Sequence, residues 1–348
     1  MEASLLAAYA RLVLELPAVD DVQLEFHSAV RQPSISPAQM DRFVDIAHER
    51  MPSSDGLAAF HWRMLYIDAS VLKALARASV PGLQEDIARE CISTLDHAII
   101  IAGAAADDAR RDYVVHDVIQ QLQSTFPWCP PRDAVFIANP APVPHPLSTS
   151  RNSVRTLTAL PSIVTAQRHW SRAPFVIRRY ADHWPAMHHP HQWASLSYLF
   201  SAAGPGRIVP VEVGDDYRSD DWSQKLISWE EFLSSLDSSA SATHRQHHTI
   251  YLAQHSLLTQ FPRLRGDIIP PDIVYACLDS PDFPAYEPPS DVIVNAWLGP
   301  KGTISPAHTV SYLSSASHQK TQQKLVYRTR SSIAMVSSCD AKKISRGT

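Results

Sequence analysis

The sequence is poor in cysteine and glycine and contains no long uninterrupted apolar run. It has 4 cysteines and 10 glycines among 348 residues. The cysteines are widely spaced (Cys91, Cys129, Cys277 and Cys339), which excludes a cysteine zinc motif or a disulfide-stapled scaffold and favours a reducing compartment. So few glycines leave no Gly-rich phosphate-binding loop. The most apolar run, residues 98–106, is far shorter than the roughly 20 residues that cross a bilayer.

An excess of charge of one sign is also missing. The chain has 31 Lys and Arg against 35 Asp and Glu, a net charge of −4. This balance provides no bulk electrostatic footprint for nucleic acid, so we expect no direct nucleic-acid binding. The N-terminal stretch carries Glu2 and Arg11 and does not have the pattern of a signal peptide. We therefore expect no membrane association, and residence in the nucleus, the cytoplasm or both.

Residues 1–126 are predicted to form an α-helical domain. Apolar side chains recur at helical spacing near the N-terminus, at Leu5, Leu6, Tyr9, Leu12, Val13 and Leu16. Ser36 followed by Pro37 is typical of a helix start, because serine caps the helix and proline fits its first position. Similar apolar stripes run through residues 57–78, 83–101 and 106–122. About five helices with short connections predict a bundle or a stack of helix pairs.

The pattern changes after residue 126. Prolines are frequent in residues 127–150. These prolines exclude a continuous helix and predict a semi-rigid linker. Beyond the linker, residues 175–178, 207–213 and 292–298 have strand-like patterns, and Ser228 with Glu231 forms a capping box that opens a short helix. These features predict an antiparallel sandwich or barrel entered through short helices.

Two groups of reactive side chains have a structural explanation that we prefer. Four histidines cluster within residues 183–191, at His183, His188, His189 and His191. Prolines interrupt this segment, so the imidazoles are predicted to diverge in a solvated loop rather than to share a metal ion. Cys277 follows a strand-like run without a histidine tied to it by sequence, and is predicted to be a buried structural thiol.

One segment points to a known family. Residues 295–308 (NAWLGPKGTISPAH) predict a hairpin whose second strand ends in His308. This segment resembles the strand pair that leads to the iron-binding motif of jumonji-C Fe(II)/2-oxoglutarate oxygenases. Further segments resemble the lysine-demethylase-8-like or protein-arginyl-hydroxylase branch, in the family's order: residues 174–185 (PFVIRRYADHWP), 209–214 (VPVEVG), 222–224 (WSQ) and 251–255 (YLAQH). The resemblance covers roughly residues 157–309.

The resemblance implies a fold and a site. The fold is α+β, with an N-terminal α-helical domain followed by an incomplete double-stranded β-helix (jelly-roll, cupin-like) jumonji-C domain at residues 151–309. The family holds Fe(II) with two histidines and one carboxylate, which leaves positions open for 2-oxoglutarate and oxygen. His308 matches the first metal ligand. The other matches are Tyr251, Ser305 and Trp297 near the 2-oxoglutarate pocket, and Glu212 and Trp222 on the substrate side.

The sequence departs from the family at residue 310. The carboxylate of the His-x-Asp/Glu motif should fall there, and this chain has Val310. Residues 310–348 carry seven Lys or Arg and one acidic residue, and are predicted to be an aberrant, basic, disordered tail. His318 does not lie in a sequence like that around the family's distal histidine. A retained intron, a frame change or a genuine basic tail would each explain this region.

These observations predict a jumonji-C protein oxygenase that is inactive as written. Its type is arginyl hydroxylase or histone methyl-lysine demethylase, its family cofactors are Fe(II) and 2-oxoglutarate, and its partner is a histone or another protein containing arginine or lysine. The alternative is a non-catalytic protein-binding module that uses the helical domain and the residual substrate face at Glu212 and Trp222. A third possibility is a gene-model product without a stable fold beyond residue 309.

Overall fold

The structure of the chain is a computed structural model. It describes residues 3–54, 56–103, 109–129, 155–165, 175–177, 179–214, 222–236, 249–274, 294–299, 313–317 and 331–337. The described chain divides into two compact units. The first contains the N-terminal helices together with residues 204–209 and 228–230, and the second contains the remaining described residues from 155 onward.

The first unit is helical, as the apolar periodicity predicted. Its helices are α1 (Ala3–Leu14), α2 (Asp21–Val30), α3 (Pro37–Arg50), α4 (Gly56–Ala78), α5 (Glu85–Ala102) and α6 (Ala109–Ser124). The predicted start of α3 is confirmed, because the Ser36 side chain accepts a hydrogen bond from the backbone N–H of Gln39. The predicted linker begins just after α6, but most of residues 127–150 lie outside the described residues, so the domain boundary stays a prediction.

The core of the first unit combines apolar side chains with buried charge. Met40, Phe43 and Leu72 have no exposed surface, and each buried side chain of this size stabilises the fold by roughly 1.5–3 kcal/mol. A buried ion pair ties α4 to α6, with Arg111 Nε 2.8 Å from Asp68 Oδ1. The hydroxyl of Tyr9 on α1 donates to the same carboxylate at 2.8 Å, so one acidic group joins three helices.

The other elements alternate strands and short helices. They are β1 (Arg155–Leu157), α7 (Ile163–Thr165), β2 (Phe175–Ile177), α8 (Leu196–Ala203), β3 (Ile208–Val213), β4 (Ser223–Ser228), α9 (Trp229–Leu236), β5 (Ile250–His255), α10 (Leu257–Gln260), β6 (Val294–Leu298), β7 (Leu313–Ser317) and β8 (Ser331–Ser337). Strands β2, β3 and β6 lie where the sequence predicted strands, and α9 follows the predicted capping box. Within the described residues, no helix is long and apolar enough to span a bilayer.

A six-stranded sheet has the order β4-β3-β5-β6-β8-β7. Strands β3 and β5 are antiparallel, as are β5 and β6, whose pairing is irregular between Leu252 and His255. Burial alternates along the first part of β3, because Val209 and Val211 are 0% and 2% exposed while Ile208, Pro210 and Glu212 are half-buried. The mixed α+β architecture with this antiparallel core of strands is the predicted fold class.

Two segments of the basic tail join this sheet. Strand β8 pairs in parallel with β6, with Val294 opposite Ile333, and β7 pairs in parallel with β8. Disorder was expected for this tail, and these two segments instead form strands. The physical reason is that β6 would otherwise present an unpaired edge, which readily accepts another strand. Disorder of the rest of residues 310–348 stays a prediction, since those residues lie outside the described part.

Candidate functional site

Glu212 and Tyr251 lie opposite each other on neighbouring strands. The antiparallel register of β3 and β5 pairs these two residues. Residues directly opposite in an antiparallel pair extend their side chains to the same face of the sheet. Tyr251 is buried and Glu212 is half-buried. The sheet therefore brings together a residue matched to the 2-oxoglutarate pocket and one matched to the substrate side.

Trp222 lies beside the end of β3. Gly214 has a φ of +138°, and a Cβ built on it would be 3.1 Å from the Cα of Trp222. Only glycine combines that backbone conformation with so close an approach. The Trp222 indole nitrogen is buried without a well-formed hydrogen bond, yet the indole N–H faces the Glu212 carboxyl closely enough to favour its ionised form.

The carboxyl of Glu212 has an altered acidity. Burial raises its pKa above the ordinary value, and the Trp222 N–H only partly offsets this effect. Desolvation disfavours a carboxylate that has no nearby positive charge, and a cation placed beside it would reverse that effect. Burial therefore disfavours the charged form of the Glu212 carboxyl.

Glu212→Gln is expected to stabilise the protein at neutral pH. Because folding raises the pKa of Glu212, its contribution to stability is full below the unfolded-state pKa and is lost as the pH rises through the folded-state pKa. The glutamine side chain is neutral at every pH. The variant should therefore have a higher free energy of unfolding than wild type at neutral pH, and this difference should vanish in acid. Urea denaturation at both pH values measures this difference.

The matched control is Glu49→Gln. Glu49 is exposed on α3. Its replacement is expected to leave the difference in the free energy of unfolding between neutral and acid pH as it is in wild type. A Glu212→Gln variant that is less stable than wild type at neutral pH would contradict the assignment of Glu212 as a desolvated carboxyl.

Trp297 lies on β6, two strands from Glu212. Leu298 is opposite Leu252 in the β5–β6 pair. Because side chains alternate along a strand, Trp297 faces the same side of the sheet as Tyr251. The structure therefore places two of the residues matched to the 2-oxoglutarate pocket on one face.

The residues matched to the metal-binding motif cannot be placed in the same way. Ser305, His308 and Val310 lie outside the described residues, so their positions stay a prediction from the sequence. Among the described residues, no group of three or more His, Cys, Asp or Glu could hold a metal ion. Valine has no atom that donates to a metal, so His308 and Val310 supply one ligand where the resemblance implies two.

The histidine-rich segment contributes divergent side chains. His188 Nε2 lies 2.5 Å from the backbone oxygen of Asp182. His191 Nδ1 lies 2.7 Å from Oδ1 of Asp267, to which it donates. The predicted divergence agrees with these different partners, although His191 is not simply a solvated loop side chain.

Sequence reasoning missed the cluster around Asp267. This carboxylate is 1% exposed. Its Oδ2 accepts hydrogen bonds from the Tyr198 hydroxyl at 2.6 Å and the Trp193 indole N–H at 2.9 Å. Burial and the adjacent carboxylate raise the pKa of Tyr198, so its hydroxyl remains a donor. The cluster joins the segment before α8, α8 itself and residues 262–267, which are far apart in the sequence.

The segment that contains Glu212, Trp222, Tyr251 and Trp297 is similar to known proteins. A model of the cupin-like domain matches residues 164–312. The chain is 38% identical over 183 residues to Jumonji C domain-containing protein 5 of Drosophila melanogaster, covering 51% of this chain and 42% of that protein. It is 42% identical over 137 residues to Lysine-specific demethylase 8 of Danio rerio, covering 39% of this chain and 30% of that protein.

A plant relative gives a similar match. Lysine-specific demethylase JMJ30 of Arabidopsis thaliana is 38% identical over 135 residues, which covers 39% of this chain and 28% of that protein. The matched segment is similar to jumonji-C proteins. Jumonji-C proteins generally depend on Fe(II) and 2-oxoglutarate. The chain spans less than half the length of the curated relatives it matches, and Val310 lies inside the matched segment.

Proposed function

We propose that this chain is a jumonji-C protein oxygenase, of the arginyl hydroxylase or methyl-lysine demethylase type, that is inactive as its sequence is written. The observation that carries this proposal is Val310, which stands where the resemblance implies the carboxylate of the iron-binding motif. The position lies within the segment matched by the cupin-like family, so the argument does not depend on where the sequence ends.

The chemistry of the motif explains the loss. The family reaction needs Fe(II) held by two histidines and a carboxylate, with the open positions taken by 2-oxoglutarate and oxygen. Changing groups that merely support metal ligands lowers metal affinity or activity about 10–100-fold. Replacing a ligand by an aliphatic side chain removes the metal–ligand bond itself. We therefore assign no oxidation step to this chain.

A non-catalytic protein-binding function is the second candidate, and Glu212 favours it. The pKa of the half-buried Glu212 carboxyl is raised, and Glu212 lies opposite the buried Tyr251 in the strand register. A guanidinium forms two parallel hydrogen bonds to a carboxylate and stacks on an aromatic face, as Trp222 would allow. Arginine fits this arrangement best, and methyl-lysine brings the same charge with fewer donors. The proposed partner is a protein segment that presents such a cation, in a histone or another protein.

Peptide binding tests the substrate face. The full chain should bind a fluorescent peptide with a central arginine more tightly than the same peptide with neutral citrulline. Glu212→Gln is expected to weaken arginine-peptide binding by about tenfold or more, since tenfold corresponds to 1.4 kcal/mol and a desolvated charge pair exceeds that. Fluorescence anisotropy measures both affinities.

Glu49→Gln is again the control, because it removes an exposed carboxyl of the same type on α3. Equal affinity of wild type and Glu212→Gln for the arginine peptide, or no preference over citrulline, would show that Glu212 does not recognise a cation.

A further inference from the structure

A buried ion pair holds the beginning of strand β3. Asp96 on α5 is 0% exposed and Arg207 is 3% exposed. Arg207 Nε lies 3.0 and 2.9 Å from the two carboxylate oxygens of Asp96, and its Nη2 lies 2.6 Å from Oδ1. The backbone N–H of Ile208 also donates to Oδ2 at 2.9 Å. One carboxylate therefore fixes both a side chain and the first backbone N–H of the strand.

The turn before β3 is clamped by the same helices. The Gln123 side chain on α6 donates to the backbone oxygen of Pro205 at 2.9 Å. A Cβ on Gly206, whose φ is +77°, would lie 3.2 Å from Ile92 Cδ1 and 3.5 Å from the Arg89 backbone. The positive φ favours glycine at this position, and an added Cβ would also crowd Ile92 on α5.

The opposite side of the strand entry is also held. The backbone N–H of Trp229 donates to the backbone oxygen of Arg207 at 2.8 Å. The Glu230 carboxylate accepts from the backbone N–H of Gly206 at 3.3 Å and lies 3.6 Å from Arg89. The start of α9 therefore forms hydrogen bonds with Gly206 and Arg207, which α5 also contacts.

Stability alone does not explain a buried pair of this kind. Removing two charges from water offsets much of their attraction, and apolar residues of similar volume often stabilise a protein equally well. What an apolar pair would not supply is an acceptor for the Ile208 N–H. The distinctive consequence of Asp96 is therefore a fixed position for the first residue of β3.

That position determines where Glu212 lies. Ile208 and Glu212 are four residues apart on one strand, so they share a face, and Val209 and Val211 occupy the buried face. A slip of one residue would move every side chain of the strand to the other face. An anchor at Ile208 consequently determines which residues of β3 lie beside Tyr251.

We propose that Asp96 is a positioning residue for the substrate face, acting through Arg207 and the Ile208 backbone to hold Glu212 opposite Tyr251. The proposal rests on the proposed role of Glu212 in binding a cationic side chain.

The test replaces the pair by apolar residues, D96L with R207M, in the full chain. The matched control is D68L with R111M and Y9F, which removes the buried Asp68–Arg111 ion pair and its tyrosine donor without touching β3. Amide hydrogen exchange of residues 208–213, NMR titration of the Glu212 carboxyl and arginine-peptide affinity are measured for both. Thermal unfolding is measured to check that the two variants are folded to a similar degree.

The expected result is at least tenfold faster exchange at Ile208 and the following β3 amides in D96L/R207M, a displaced Glu212 titration and about tenfold weaker peptide binding. The control should change none of these relative to wild type. Unchanged β3 exchange and Glu212 titration in D96L/R207M would overturn the proposal. If that variant is unfolded, D96N replaces it, with the same direction of change expected and the same unchanged result contradicting it.

Exchange and carboxyl titration need no ligand, so they separate this inference from the proposed function. Wild-type protein that fails to bind the arginine peptide would contradict the binding role of Glu212. The effect of Asp96 on β3 would still be decided by the two ligand-free measurements.

Discussion

Replacing Arg207 by methionine is expected to lower the free energy of unfolding by about 3–5 kcal/mol, since removing one partner of a buried pair leaves an uncompensated charge. Asp96 is 0% exposed, so its carboxylate has no access to water once the guanidinium is gone. The Ile208 N–H would remain as a single neutral donor to it. Urea denaturation followed by circular dichroism at neutral pH measures the loss.

Arg42→Met is the matched control for this change. Arg42 pairs with Glu25, and the two side chains are 54% and 45% exposed. Exposed ion pairs contribute little to stability, so this variant should lose far less than Arg207→Met. Similar losses in the two variants would contradict the buried, hydrogen-bonded pair that we describe for Asp96 and Arg207.

Asp267→Asn is expected to destabilise the protein by about 3 kcal/mol, because hydrogen bonds to a charged group are each worth about 1.5–3 kcal/mol. The asparagine amide keeps one oxygen acceptor where the carboxylate has two. It therefore cannot accept from His191 on one side and from both Trp193 and Tyr198 on the other. Urea denaturation measures the effect, and the mobility of the residues around α8 should rise in hydrogen exchange.

Asp272→Asn provides the comparison within the same unit. Asp272 is exposed, so the same chemical change is expected to alter the free energy of unfolding by less than about 0.5 kcal/mol. Should Asp267→Asn be equally mild, the three donors would have to find other partners, and the cluster would not hold α8 in place.

The sequence predicted the elements of the fold better than their connections. The strand-like pattern of residues 207–213 predicted β3, and the Ser36–Pro37 signal predicted the start of α3. Both rest on local spacing, which is visible in a short window of sequence. Pairing of β6 with β8 was not predicted, because the parallel register depends on which edge is open rather than on a pattern in either strand.

Long-range polar pairs were outside the reach of sequence patterns. Asp96 and Arg207 are 111 residues apart, and His191 and Asp267 are 76 residues apart. In sequence each carboxylate is an ordinary acidic residue near an apolar stripe. Only the folded chain shows that both are buried and shared among several donors.

The candidate site came from the family resemblance rather than from composition. The structure places Glu212 and Tyr251 opposite each other, Trp222 near Glu212, and Trp297 on the same face of the sheet as Tyr251. Their roles toward 2-oxoglutarate and substrate remain predictions. The same holds for Ser305 and His308, and for residence in the nucleus or cytoplasm.

The most direct test is 2-oxoglutarate turnover by the purified full chain, supplied with Fe(II), oxygen, ascorbate and the arginine or methyl-lysine peptide. Succinate formation is measured against a metal-free sample. With valine at position 310, we predict succinate at the metal-free background and no stoichiometric binding of Fe(II). Iron bound at one ion per chain together with repeated turnover of 2-oxoglutarate would contradict the account.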